Sequence, residues 1–288
     1  MALDAAREVA QRVGLSSTSA HVLRDANNTL VLLPESRVVA KVATSTLEKH
    51  GANALERELA IGLHLAARDA PIVPPLLDGA GGPHEIDGHL LTLWSYSAPE
   101  SAPDQPGLEL GMALRAFHEA LADFASPLPP LTEKLEAAAA LFADPTATSE
   151  LSASDRRLTA SIYEKLLPRL ATVAAQSGLH GEPHSDNVVW TRNGPLFVDF
   201  EAACAGPVEW DLAYLPEQAH PAFPERDEEL LSLLRTAVSF CVAAWCWAQR
   251  GRAPEVDEAA IFHLDLLKRT AGGNELGGKA SSASEQGL

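Results

Sequence analysis

His180-Gly181-Glu182-Pro183-His184-Ser185-Asp186-Asn187, followed at close range by Val198-Asp199-Phe200-Glu201, is the stretch on which the reading of this chain turns. Between its two parts, Val188-Val189-Trp190-Thr191 and Leu196-Phe197-Val198 are β-rich runs flanking Asn193-Gly194, a strong hairpin signal. A turn closed at Asn193-Gly194 sets Arg192 against Pro195, and counting outward sets Val188 against Asp199. Asn187 then stands within one residue of Asp199 across the ladder, where side chains lie roughly 4.5–5.5 Å apart. An amide oxygen and a carboxylate converging there are hard donors suited to Mg²⁺. Glu182 adds a second carboxylate on the turn leading into the hairpin. A base and two metal ligands, with no reactive thiol or serine, is the inventory that phosphoryl transfer needs.

His180-Gly181-Glu182 with Asn187, and then Val198-Asp199-Phe200, resembles the catalytic loop and metal motif of the aminoglycoside phosphotransferase family, which includes choline- and homoserine-kinase-like enzymes. Gly206-Pro207-Val208-Glu209-Trp210-Asp211-Leu212-Ala213 is similar to that family's sequel, a loop and then a helix opened by an aspartate. The resemblance implies a two-lobed, protein-kinase-like α+β fold. Residues 1–97 form a small antiparallel sheet with one main helix, 98–106 a hinge, and 107–271 a larger helical lobe carrying the catalytic hairpin. It implies transfer of the γ-phosphate of ATP or GTP to a small-molecule hydroxyl, with Asn187 and Asp199 holding Mg²⁺ and Glu182 as base. His180 would brace the catalytic loop, and Asp211 would hold that loop's backbone from the following helix. The family's base is normally aspartate, and Glu182 departs from it by one methylene. That departure raises a catalytically impaired, nucleotide-binding pseudokinase as the alternative.

Composition bounds these readings. With 288 residues the chain can bury a substantial core. A formal net charge of −17 argues against a nucleic-acid partner, which needs clustered Lys and Arg, and is compatible with a cationic small substrate. Three cysteines, Cys204, Cys241 and Cys246, form no CxxC pair and suit a reducing cytoplasm. Met1–Val13 carries Asp4 and Glu8 and has no apolar centre, unlike a secretory signal. The longest apolar run, Ala237–Ala248, is shorter than the roughly 20 residues of a membrane span.

Read from its start, the chain opens with a helix over 3–13, ended by Gly14. Strands follow at 21–24, 29–33 and 37–42, the last two joined by Pro34-Glu35-Ser36. Asp25-Ala26-Asn27-Asn28 falls where a kinase-like fold covers the phosphates, and Asn27 or Asn28 fills the family's turn asparagine. Lys41 interrupts Val38-Val39-Ala40-Lys41-Val42 as an edge-strand charge or a functional cation. The helix over 53–68, with Leu55, Leu59, Leu63 and Ala66 as its buried stripe, offers Glu56 and Glu58 as partners for it. Helical phase does not choose between them, and the family's Arg57-Glu58-Leu59 pattern favours Glu58. Residues 71–78 and 86–94 read as two strands separated by a turn over 79–84. The backbone near Trp94–Ser97, including Tyr96, would meet the nucleotide's base.

The remaining helices are expected over 107–124, 131–142, 155–176 (bent or broken near Pro168), 227–250 and 255–271. Residues 272–288 read as a disordered polar tail. His118 lies beside the stripe of the first of these helices and reads as packed. One rival chemistry comes from the alternation of His180, Glu182 and His184, which on a strand could face one metal of a hydrolase. Gly181 and Pro183 argue for a loop instead. The absence of GxSxG and GxxxxGK[ST] disfavours a serine hydrolase and a P-loop enzyme.

Overall fold

The computed structural model describes residues 1–26, 28–44, 53–173 and 177–272. Asn27 and the part of the polar tail beyond Gly272 lie outside them. Contacts group the chain into two compact units, each discontinuous in sequence. The first comprises Met1–Leu128, Ser177–Ala205 and Tyr214–Glu225; the second comprises Pro129–Gln176, Gly206–Ala213 and the chain from Arg226 onward.

The first unit is built on an antiparallel sheet of β1 (His21–Asp25), β2 (Asn28–Leu33), β3 (Val38–Ala43), β4 (His84–Ile86) and β5 (His89–Ser95), ordered β1-β2-β3-β5-β4. Strand alternation divides its faces. Val38, Ala40 and Val42 pack with Val31, Leu33, Leu91 and Leu93 under α1 (Ala2–Arg12), which contributes Ala5, Ala6, Val9 and Ala10. Leu30, Val39 and Lys41 point the other way and line a cavity. The sheet departs from the expected one at β4. Residues 71–78 make only isolated bridges, at Ile72 and Pro75, and the strand falls instead at His84–Ile86. The Asp87-Gly88 pair turns β4 into β5, with φ of 48° and 77°. This is the positive-φ dipeptide that tight hairpins prefer, lying inside the segment expected to be one continuous strand.

Helix α2 (Ala54–Ala66) buries Leu55, Glu58, Leu59, Ile61, Gly62 and Leu65. Leu63, expected in the stripe, is exposed, so the apolar face is rotated toward Glu58 and leaves Glu56 in solvent. Helix α3 (Leu108–Leu121) buries Leu110, Leu114, Phe117, His118 and Leu121. The hairpin of β7 (Val188–Thr191) and β8 (Gly194–Phe197), which follows the short β6 (Ser177–Leu179), is sewn into this unit by backbone bonds. Val73 N–H donates to Phe197 O at 3.0 Å, Phe197 N–H to Pro71 O at 2.9 Å and Glu100 N–H to Trp190 O at 2.8 Å. The 98–106 segment therefore lies within a compact unit.

The second unit packs α4 (Leu131–Ala143), α5 (Ala153–Ala171), α7 (Glu228–Ala248) and α8 (Pro254–Gly272), with the short α6 (Glu209–Leu212). Helix α5 continues through Pro168 to Ala171. Asp227 caps α7, accepting from the N–H groups of Glu229 and Leu230. At 21 residues α7 is long and apolar enough to cross a membrane, yet 61% of its most apolar window is buried within the fold.

Phe117 is fully buried, with its ring centroid 5.5 Å from His180, 5.7 Å from Phe197 and 5.6 Å from Phe200. Phe117→Ala removes the packing partner of His180, Phe197 and Phe200. It is expected to cost about 3–5 kcal/mol of stability. Urea denaturation checks this, and a loss below about 1 kcal/mol would show that those rings need no support from α3.

Candidate active site

Four elements deliver the site. Lys41 comes from the middle of β3, Glu58 from the buried face of α2, and Asp199 and Glu201 from the segment after β8. The Lys41 ammonium lies 2.7 Å from Glu58 Oε1, 3.0 Å from Asp199 Oδ1 and 2.7 Å from Glu201 Oε1. The expected strand–helix pair is present, with Glu58 rather than Glu56 as partner. Glu58 Oε1 also accepts the Phe200 N–H at 3.2 Å, which ties α2 to the residue beside Asp199. Glu201 is a member the sequence reading left unplaced. It is buried, accepts from Asn28 Nδ2 at 3.0 Å, and its backbone oxygen accepts from Arg57 at 3.2 Å. No local sequence signal marks it, because its direction is set by the left-handed backbone at Asp199.

One positive and three negative charges leave an excess of two negative charges around an ammonium that is itself buried. Burial works against the Lys41 charge, but Asp199, Glu58 and Glu201 more than offset it and raise its pKa. Burial pushes the Glu58 carboxyl up to about 8, beyond what Lys41 recovers. Asp199 moves the other way. Burial opposes its charge, yet Lys41 holds it below the usual carboxylate range.

The loop over 180–187 is shaped by His180 and Gly181. His180 is fully buried, its ring 5.5–5.6 Å from those of Phe117, Phe197 and Phe200. Its Nε2 donates to Val198 O at 3.0 Å, and Nδ1 accepts the Glu182 N–H at 3.4 Å. Both nitrogens are engaged, so the alternating His180–Glu182–His184 metal site does not form. Gly181 has φ of 92°, and a Cβ there would collide with the Ala202 carbonyl oxygen. The Glu182 carbonyl receives the Asn187 side-chain amide and the His184 N–H, each at 2.9 Å.

The hairpin register differs from the expected one. Thr191 pairs with Gly194 and Val188 with Phe197, so the turn residues are Arg192 and Asn193. The Thr191 hydroxyl donates to Gly194 O at 2.8 Å and accepts the Asn193 N–H at 3.2 Å, and Gly194 takes φ of 106°. The threonine side chain therefore sets the turn one residue early. A shift of two in pairing preserves side-chain faces, and a shift of one would have inverted them. Asn187 O accepts from Val198 N–H at 3.0 Å, and Asp199 follows with φ of 67°.

Asn187, Asp199, Glu182, Lys41, Glu58, Asn28, Trp94 and Tyr96 all line one cavity of about 390 Å³ within the first unit. Asp211 is fully buried in α6, in the second unit. Glu209, adjacent to it, is buried and accepts the Asp227 N–H at 2.9 Å.

The model of the phosphotransferase enzyme family matches residues 22–252. The chain belongs to the phosphotransferase enzyme family. Solved structures similar to this family member include a choline/ethanolamine kinase family protein from Mesorhizobium loti, at 15% identity and TM-score 0.70 over 96% of this chain and 97% of that one. An aminoglycoside phosphotransferase solved with GDP and kanamycin aligns at 18% identity and TM-score 0.68, over 94% of this chain and 99% of that one. Choline kinase LicA from Streptococcus pneumoniae aligns at 15% identity and TM-score 0.68, over 94% and 98%. These likenesses establish the kinase-like α+β fold. No curated protein matches the sequence.

The raised Glu58 pKa has a stability consequence with a definite sign. Between the ordinary carboxyl value of 4.5 and about 8 the folded state binds the additional proton. This contribution is complete below 4.5 and is lost as pH rises through about 8. Glu58→Gln is expected to flatten that fall in stability across the window. Denaturation midpoints measured against pH check it, and an unchanged slope would place the proton elsewhere.

Proposed function

We propose that this chain transfers the γ-phosphate of ATP or GTP to a hydroxyl of a small molecule. The observation that carries this reading is the convergence of Lys41, paired to Glu58, with Asn187, Asp199 and Glu182 on one cavity. Lys41 would meet the α- and β-phosphates, its charge secured by the surrounding carboxylates. The N–H groups of Ser95 and Tyr96 are taken by Pro74 O and Arg37 O, so the Ser97 N–H is the amide offered to the base. The GDP bound in one structural neighbour supports a nucleotide co-substrate.

The residues present fit a magnesium ion. Asn187 donates through Nδ2 to the Glu182 carbonyl, which leaves its oxygen for a cation, and Lys41 engages only Oδ1 of Asp199. Asn28 Oδ1 is buried without a hydrogen-bond partner among the described residues. Asn187 and Asp199 would hold Mg²⁺, and a bound ion supplies neutralisation of phosphate charge. Glu182 would accept the proton of the acceptor hydroxyl, its position set by the loop contacts at its N–H and carbonyl. Glu58, Glu182, Asp186, Asp199 and Glu201 outnumber Arg24 and Lys41 on the cavity wall, which supports a cationic acceptor.

Incubation with ATP or GTP and a panel of hydroxylated amines and antibiotics should give phosphorylation of at least one acceptor. Asp199→Asn should lower transfer by on the order of 10²–10³-fold with the fold intact. Wild-type turnover in that variant would contradict the assignment. The glutamate in place of aspartate favours one second reading, a decayed nucleotide-binding protein, and Glu182 separates the two. A working base predicts that Glu182→Gln costs roughly 10²–10⁴-fold. Glu182→Asp should then cost roughly 10²-fold through misplacement of the carboxylate. In a decayed site Glu182→Asp raises turnover and Glu182→Gln changes nothing.

A further inference from the structure

Two cations line the cavity, and their circumstances differ. Lys41 is buried and fixed by three carboxylates. Arg24 is on the edge strand β1, its side chain 53% exposed, and its guanidinium lies 2.9 Å from Asp186 Oδ2, on a side chain 58% exposed. An exposed pair of this kind contributes little to stability and exchanges readily for another anion.

The backbone directs Arg24 to this position. Val22 pairs with Val31, but the register then shifts, so that Arg24 pairs with Leu30 and Asp25 with Thr29. Continued regular pairing would set Leu23 opposite Leu30 and Arg24 opposite Thr29, on the other face of the sheet. The irregularity instead turns Arg24 to the face of Leu30, and consecutive residues Leu23 and Arg24 both reach the cavity. Bulges near functional sites re-aim side chains in this way. Asp186, which holds the guanidinium, immediately precedes Asn187, so the charge rests beside the loop that carries Asn187.

We propose that Arg24 is a phosphate-binding residue, parked on Asp186 in the nucleotide-free protein and exchanged onto the terminal phosphates of an entering nucleoside triphosphate. The inference rests on the phosphotransferase reading and adds to it a second cation, brought from the sheet across the cavity to the catalytic loop. Guanidinium suits this role because it makes charge-assisted, geometrically matched bonds to phosphate oxygens. Asp186 competes with the phosphates for it and thereby sets the affinity for triphosphate.

Calorimetric titration with ATP and Mg²⁺, with GTP and Mg²⁺, and with adenosine tests this on wild type, Arg24→Gln, Asp186→Asn and the double variant. Arg24→Gln should weaken triphosphate binding roughly tenfold, the scale of one charge-assisted bond, and leave adenosine binding unchanged. Asp186→Asn should tighten triphosphate binding, and that gain should vanish in the Arg24→Gln background. Because Arg24 is half exposed on an edge strand, ligand-free melting of each variant should match wild type, which keeps binding changes interpretable. Wild-type affinity in Arg24→Gln, or an equal loss for adenosine, overturns the proposal alone. A wild-type protein that binds neither triphosphate overturns the phosphotransferase reading and the proposal with it.

Discussion

One buried ammonium organises this molecule. Lys41 joins a strand, a helix and the segment following the β7–β8 hairpin through three carboxylates at 2.7–3.0 Å. Such a cluster is a poor source of stability, because desolvating four charges costs about as much as their attraction returns. Its effect is positional. Removing Lys41 would leave the three carboxylates without their shared counter-charge, so it is the ammonium that holds β3, α2 and the Asp199–Glu201 segment together. The raised Glu58 pKa follows first from its burial, and the negative charges of Glu201 and Asp199 add to it. Apolar packing does the stabilising nearby, where Phe117, Phe197, Phe200 and the His180 ring form a closed aromatic group under the loop.

Much of this was legible in the sequence because the motif residues act locally. His180, Glu182 and Asn187 sit on one short loop, tied to one another by bonds that span two to five residues. Lys41 was marked by its place inside an apolar strand, and Glu58 by a short sequence pattern rather than by helical phase. The parity of the hairpin was readable even where its register was not. A threonine hydroxyl competing for the turn amide moved the pairing by two residues, which alternation tolerates.

What escaped the sequence depended on longer reach. Asp87-Gly88 was absorbed into one strand because its flanking apolar residues run on, although the dipeptide is itself a hairpin signal. The apolar segment over 71–78 reads like a strand, but its backbone bonds go to Leu93, Ser95 and Phe197 around two isolated bridges. Glu201 and Arg24 carry no motif. The first is placed by a left-handed Asp199 and the second by a bulge in β1, and neither feature has a local sequence cause that could be read beforehand.

The central claim is that this cluster and the neighbouring loop form a magnesium-dependent nucleotide site. Thermal denaturation with ATP or GTP, with and without Mg²⁺, tests it most directly. Stabilisation follows RT ln(1 + [L]/Kd), so a hundredfold excess over Kd should add about 2.7 kcal/mol when Mg²⁺ is present and markedly less when it is absent. No stabilisation at millimolar nucleotide with Mg²⁺ would contradict the account.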